Sequence, residues 1–277
     1  MVHARTRAVA AFAACLAGAC AGPDPGPAPL ASFEARPLAA SDAAPAPGSP
    51  CGAGGAPPRP ETHDERSVAQ ALTWVWRDDP VENYCGCRFG ADQSVGPDCG
   101  YAGDDAAPPV IRWEPVVPPS RFGVYRRCWQ RWSVGDGVDA IARRKCAEVD
   151  EEFRAMEADL YNYHPVLAAL SERRADHPFA RVQGEPRDFG SCDFETQSVM
   201  GKTERIEPPP EVLGDLARVY LYMAGRYGKG RDWKIKLTRE QRQLYEKWSE
   251  ADPVDDRERR RACRIQAIQG WENPYVK

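Results

Sequence analysis

The sequence predicts an α+β domain, mostly helical and stapled by disulfides. Three observations lead there. Several segments beyond residue 60 repeat apolar residues at helical spacing; strand candidates are few, with VIRWEPVV (110–117) the best of them; and eight cysteines follow an export-like leader.

Residues 1–20 carry His3, Arg5 and Arg7 ahead of a short alanine-rich apolar stretch, the layout of a secretory signal and too short to span a bilayer. Leu16-Ala-Gly-Ala-Cys20 approximates a lipoprotein cleavage box, which makes Cys20 a candidate for acylation; a plain cleaved signal is the alternative. Residues 21–60 hold 28 Pro, Ala or Gly among 40, too few large apolar groups to offset the entropy of ordering, so they read as a disordered linker. The folded unit is then 62–277, a single domain that carries all eight tryptophans.

Within it, DERSVAQALTWVWR (64–77) is a helix by its apolar spacing. Residues 83–104, with three cysteines and five glycines, form a disulfide-tied loop or short strands. AEVDEEFRAMEADLYN (147–162) reads as one helix with acids in its first turns. Residues 211–227 place Leu213, Leu216, Tyr220, Met223 and Tyr227 on one face of a core helix that Gly228 ends. Thr238 and Gln241 make a capping box that opens LTREQRQLYEKWSE, and a last helix at about 256–269 stops at Gly270.

Cys51, Cys85, Cys87, Cys99, Cys128, Cys146, Cys192 and Cys263 are an even set in an exported chain, which favours up to four disulfides with the pairing open. Zinc is the rival, prompted by Cys85-Gly-Cys87, but CxC lacks the usual spacing and no histidine is near. Net charge is −4; the first 60 residues contribute four basic and three acidic groups, leaving the domain near −5. That excludes a protein whose whole surface binds nucleic acid. Locally, residues 121–145 hold seven basic side chains (Arg121, Arg126, Arg127, Arg131, Arg143, Arg144, Lys145) against Asp136 and Asp139, just downstream of a glutamate, Glu114, set inside the strand candidate.

In order along the chain come YCGC (84–87), CGY (99–101), WEPVVPPSRFG and RCWQ (113–130), MEADLYN (156–162), LARVYLYM (216–223), QRQLYEKW (241–248), DPV (252–254) and IQG with NPYV (268–276). This series resembles the bacterial endonuclease I family, exported nucleases of the His-Me finger or ββα-metal type, over nearly the whole domain. The resemblance implies a ββα-metal core, magnesium as cofactor, DNA or RNA as partner, and an exported location: periplasmic, secreted or lipid-anchored. By the same resemblance Glu114 is a metal ligand, Ser171 stands where a ligand asparagine is expected with Arg174 matching a following arginine, Arg143 faces the scissile phosphate, and Glu157 is the acid of the MEAD motif.

The general-base histidine of that family is replaced by Pro115, which has neither a titratable group nor an N–H. Of the histidines beyond the leader, His63 precedes the stretch that carries the resemblance, and His164 and His177 read as surface. Other departures are Trp271-Glu272-Asn273-Pro274, Glu211-Val212-Leu213-Gly214, and Arg257-Glu258-Arg259 with Cys263 four residues on; Cys51 is a candidate partner in a shifted bridge. Three functions follow: an endonuclease I-like hydrolase impaired by the loss of its base and one metal ligand, an inactive nucleic-acid binder using Arg126, Arg127, Arg131, Arg143 and Arg144, or a cell-surface scaffold.

Overall fold

The computed structural model describes residues 54–60, 65–97, 99–103, 108–133, 139–184, 186–199, 202–228 and 235–277. The leader, Cys20, most of the linker, Cys51 and His63 lie outside them.

Nine helices and two antiparallel strand pairs, the second of them a hairpin, occur among the described residues. Helix α1 (Glu65–Trp76) is followed by a disulfide-tied loop of isolated bridges and then by β1 (Ile111–Pro115). Next come α2 (Pro119–Gly123), α3 (Arg127–Trp132), α4 (Asp139–Val149), α5 (Glu151–Glu157) and one 3-10 turn, before β2 (Tyr163–Leu167) runs directly into α6 (Ala168–Arg174). The hairpin, β3 (Glu195–Val199) and β4 (Lys202–Glu207), precedes α7 (Leu213–Tyr227), α8 (Arg239–Ala251) and α9 (Asp256–Gln269). The mixed, mostly helical class is as expected.

Strands β1 and β2 pair with Glu114 opposite His164 and Pro115 opposite Tyr163. The Val116 N–H donates to Asn162 O at 2.7 Å. Since hydrogen-bonded and non-bonded pairs alternate in an antiparallel ladder, Pro115 and Pro165 both fall at non-bonded positions. The ladder between these strands therefore needs neither missing N–H, which is why two prolines are tolerated in a pair of five-residue strands. The Asn162 side chain closes the end of the pair by bonding both the N–H and the C=O of Val117.

Helix α7 is the centre of the core. Its expected stripe is buried, and so are most of its remaining residues, because helices and the connection from β1 to β2 surround it. Tyr222 and Tyr227 donate to the Asp159 carboxylate at 2.7 and 2.8 Å, and burial pushes that carboxyl's pKa up. The capping box at Thr238 and Gln241 forms, and Gly270 ends α9 in the left-handed region at φ 84°.

Two expectations change. Residues 147–162 are not one helix: Asp150 sits at φ −121°, accepts the Phe153 N–H and N-caps α5, so α4 stops at Val149. The β3–β4 hairpin has no counterpart in the sequence reading. Cysteine pairing decides between disulfide and zinc: Cys85 joins Cys192, Cys87 joins Cys99 and Cys128 joins Cys146. Glu82, Cys85 and Cys87 do come together, but both sulfurs are in disulfides, and Glu82 accepts the backbone N–H groups of Tyr84, Cys85 and Cys87. Cys263 is also disulfide-bonded.

Candidate active site

The β1–β2 pair, α6, α1 and the start of α2 frame an open cleft of about 1250 Å³. That exceeds the usual small-ligand pocket of roughly 300–1,000 Å³ and suits a segment of a polymer. Glu114, Pro115, Arg143 and Ser171 all line it, so four residues spread over 57 positions of sequence meet on one surface.

Glu114 is 4 % exposed. Its Oε1 accepts from the Tyr84 hydroxyl at 2.5 Å and from Arg174 at 2.6 Å. Its Oε2 is buried with no hydrogen-bond partner. A buried carboxylate oxygen without a donor is costly, and this one belongs to a cleft-lining residue. Arg174 is fully buried and also donates to the carbonyls of Pro115 (3.1 Å) and Val116 (2.5 Å). Burial is the largest influence and works against its charge, but Glu114, Tyr84 and Tyr220 together outweigh it and hold the Arg174 pKa above its ordinary value. The Tyr84 hydroxyl is pushed well up, first by burial and then by Glu114. Arg174 thus locks α6 to the end of β1 and fixes the glutamate between them.

Ser171 lies one turn before Arg174 on α6, buried at the edge of the cleft. Arg143, on α4, is half-exposed and lines the cleft from the other side. Its Nε donates to Glu157 Oε1 at 2.5 Å. Glu157 is buried behind it and is not a lining residue; burial raises its pKa, and Arg143 opposes that rise. Glu157 therefore positions Arg143 from below the surface.

Other predicted residues go elsewhere. Arg126 is buried: its Nε donates to Asp150 at 2.6 Å, and its Nη2 pairs with Asp150 and Glu152. It braces the start of α5 and does not offer its charge to a ligand, which corrects its grouping with Arg127, Arg131 and Arg144, all exposed. His164 is not at the surface. It is buried, its Nδ1 accepts from Asn83, and burial followed by Arg261 lowers its pKa to about 3. His177 is half-buried beyond α6. No described histidine lines the cleft. Sequence reasoning missed Glu172 and Asp176, which line it beside Ser171; the acids next to Ser171 and just past the end of α6 were the available signal.

An antiparallel strand pair whose second strand feeds straight into a helix, with a buried carboxylate locked by that helix's arginine in the lining of a polymer-sized cleft, defines a disulfide-braced strand–strand–helix class. The chain belongs to the endonuclease I family, whose model (Endonuclease I) matches residues 69–277. It is 35 % identical over 219 residues to an extracellular deoxyribonuclease of Aeromonas hydrophila, covering 76 % of this chain and 87 % of the relative. A periplasmic deoxyribonuclease of the same organism is 33 % identical over 224 residues, covering 78 % and 86 %. Endonuclease-1 of Buchnera aphidicola subsp. Acyrthosiphon pisum is 29 % identical over 208 residues, covering 73 % and 76 %.

Proposed function

We propose that this protein is an exported, endonuclease I-like nucleic-acid-binding protein that holds DNA phosphates in the cleft but hydrolyses them weakly, for want of a general base. The observation that carries the reading is that Pro115 occupies the cleft beside Glu114, while no described histidine lines it. The export signal and the extracellular and periplasmic relatives support the location.

The donor set fits a hard divalent cation such as magnesium. Glu114 Oε2 is a buried carboxylate oxygen in need of a positive partner, and the Ser171 hydroxyl lines the same cleft. A cation bound there would polarise the phosphate and stabilise the leaving oxygen. The chain's own residues do the rest. Tyr84 and Arg174 hold Glu114 through Oε1 and so leave Oε2 without a protein donor, free to take a cation. Arg143, positioned by Glu157 at the cleft wall, brings a guanidinium charge to a non-bridging phosphate oxygen. At 115, nothing accepts the proton of an attacking water. Absence of a positioned base forfeits about 10²–10⁴ in rate. His164 cannot substitute: it is buried against Asn83, outside the cleft.

The test is binding and nicking of supercoiled DNA by the wild type and by Glu114→Ala, with magnesium present. The expected result is clear binding, slow nicking, and loss of that nicking in the variant. Rapid nicking by the wild type that still depends on Glu114 would mean that another group serves as base.

A further inference from the structure

Beyond the cleft, the segment from α2 to α4 exposes two large aromatics close to several cations, of which Lys145 is paired with Glu148. Tyr125 is 51 % exposed and Trp132 is 43 % exposed. The Trp132 ring has the Arg131 guanidinium 6.0 Å and the Lys145 ammonium 5.8 Å from its centroid. Arg121, Arg127 and Arg144 are exposed and make no ion pair among the described residues.

Core packing does not account for these aromatics. Trp129, three residues before Trp132, is the tryptophan that enters the core, against Phe153, and Phe122 joins it there. The platform beneath is stiff: the Cys128–Cys146 disulfide ties α3 to α4, and buried Arg126 ties the start of α3 to Asp150. The wall is also continuous with the cleft, since α4 carries Arg143 and α2 begins at Pro119, both cleft-lining.

We propose that this face is a stacking track for unpaired bases, along which a single-stranded stretch of nucleic acid leaving the cleft is held. Trp132 and Tyr125 present rings to successive bases, and Arg127, Arg131 and Arg144 meet the intervening phosphates. Sequence-tolerant single-strand sites combine the same two elements, cationic groups along the backbone and aromatic faces for the bases. A paired base offers its face only after unstacking, so the track favours single strands over duplex. Charge complementarity selects a polyanion over an apolar partner. The inference rests on the reading that the cleft takes nucleic acid, and it adds a strand preference and two residues to it.

The test is fluorescence anisotropy at one fixed salt, with EDTA present so that nothing is cut. The probes are a short labelled oligothymidylate, which does not stack on itself, and a labelled duplex of the same length. Trp132→Ala should weaken oligothymidylate binding about 5- to 100-fold, as loss of one stacked base does, and change duplex binding less than about threefold. Trp132→Phe should retain most of the affinity, Tyr125→Ala should weaken it less than Trp132→Ala, and circular dichroism should be unchanged throughout. Equal losses on both probes, or none on either, would overturn the track and leave the cleft reading standing. If the wild type binds neither probe, the track falls, and the cleft reading stands or falls on the magnesium-containing assay. If it ignores both but binds phosphatidylglycerol vesicles through Trp132, the face is a membrane surface and the proposal is wrong.

Discussion

Replacing Arg174 by methionine removes the lock between α6 and β1. Arg174 is 0 % exposed and Glu114 4 %. The substitution keeps the side chain's length but strips Glu114 Oε1 of one of its two donors and leaves the carbonyls of Pro115 and Val116 without their guanidinium bonds. Breaking a buried pair on one side costs about 3–5 kcal/mol, because the remaining charge stays buried. Each carbonyl that loses a bond adds up to about 1 kcal/mol, not independently of the pair. The expected destabilisation is about 4 kcal/mol. With a urea slope of about 2 kcal/mol per molar, the unfolding midpoint should fall by about 2 M. Glu114→Gln in the same chain should recover about half of that by removing the stranded charge. The assay is equilibrium urea unfolding with disulfides intact, followed by tryptophan fluorescence. A loss below about 1 kcal/mol, or no recovery in the double variant, would refute the view that Arg174 neutralises Glu114.

Two further outcomes are expected. Gly123→Ala would set a Cβ 2.0 Å from the Trp129 ring, which is 2 % exposed and has little room to move; it should cost about 2 kcal/mol or more in the same urea assay, and a neutral result would mean that the α2–α3 corner is loosely packed. His164 is held neutral in the fold, with a pKa near 3 against 6.5 when free. As pH falls below about 6.5 the unfolded chain takes up this proton first, so the group's share of stability is complete above that value and is lost toward pH 3, at up to about 1.4 kcal/mol per pH unit. His164→Gln should therefore lose about 2 kcal/mol less than wild type between about pH 7 and about pH 5; parallel losses would show that the imidazole is exposed to water in the native state.

Much of the fold can be read from the sequence because its helices carry their own start and stop signals. Thr238 with Gln241, Gly270, and the stripe from Leu213 to Tyr227 are local features, and local geometry follows from them. The break at Asp150 shows where periodicity misleads: the apolar spacing runs on, but an aspartate three residues before Phe153, followed by Glu151 and Glu152, is itself an N-cap signature. The β3–β4 hairpin is hidden because ETQSV and KTERIE are polar for strands and lack clean alternation. Burial by tertiary contact is the least legible. Nothing near His164 in sequence announces Asn83, 81 residues away, and nothing near Arg126 marks it as the partner of Asp150 rather than one more cation in a basic run. In the cleft the residue types were legible and their geometry was not. Glu157 behind Arg143, and the single partnerless oxygen of Glu114, needed the fold.

On the proposed function, the cleft is complete except for what stands at 115 and 171. The direct measurement is magnesium-dependent nicking of supercoiled DNA by wild type, Pro115→His, Ser171→Asn and the double variant. Position 115 lies at a non-bonded place in the ladder, so a histidine there adds an N–H without breaking a strand hydrogen bond. Histidine alone restores a base beside a poorly ligated site, and asparagine alone restores ligation with no proton acceptor. The predicted result is small gains for each single change and a double variant that exceeds their sum many-fold, as for residues that act as a unit. A wild type that already cuts at the double variant's rate, and only with Glu114 intact, would contradict it.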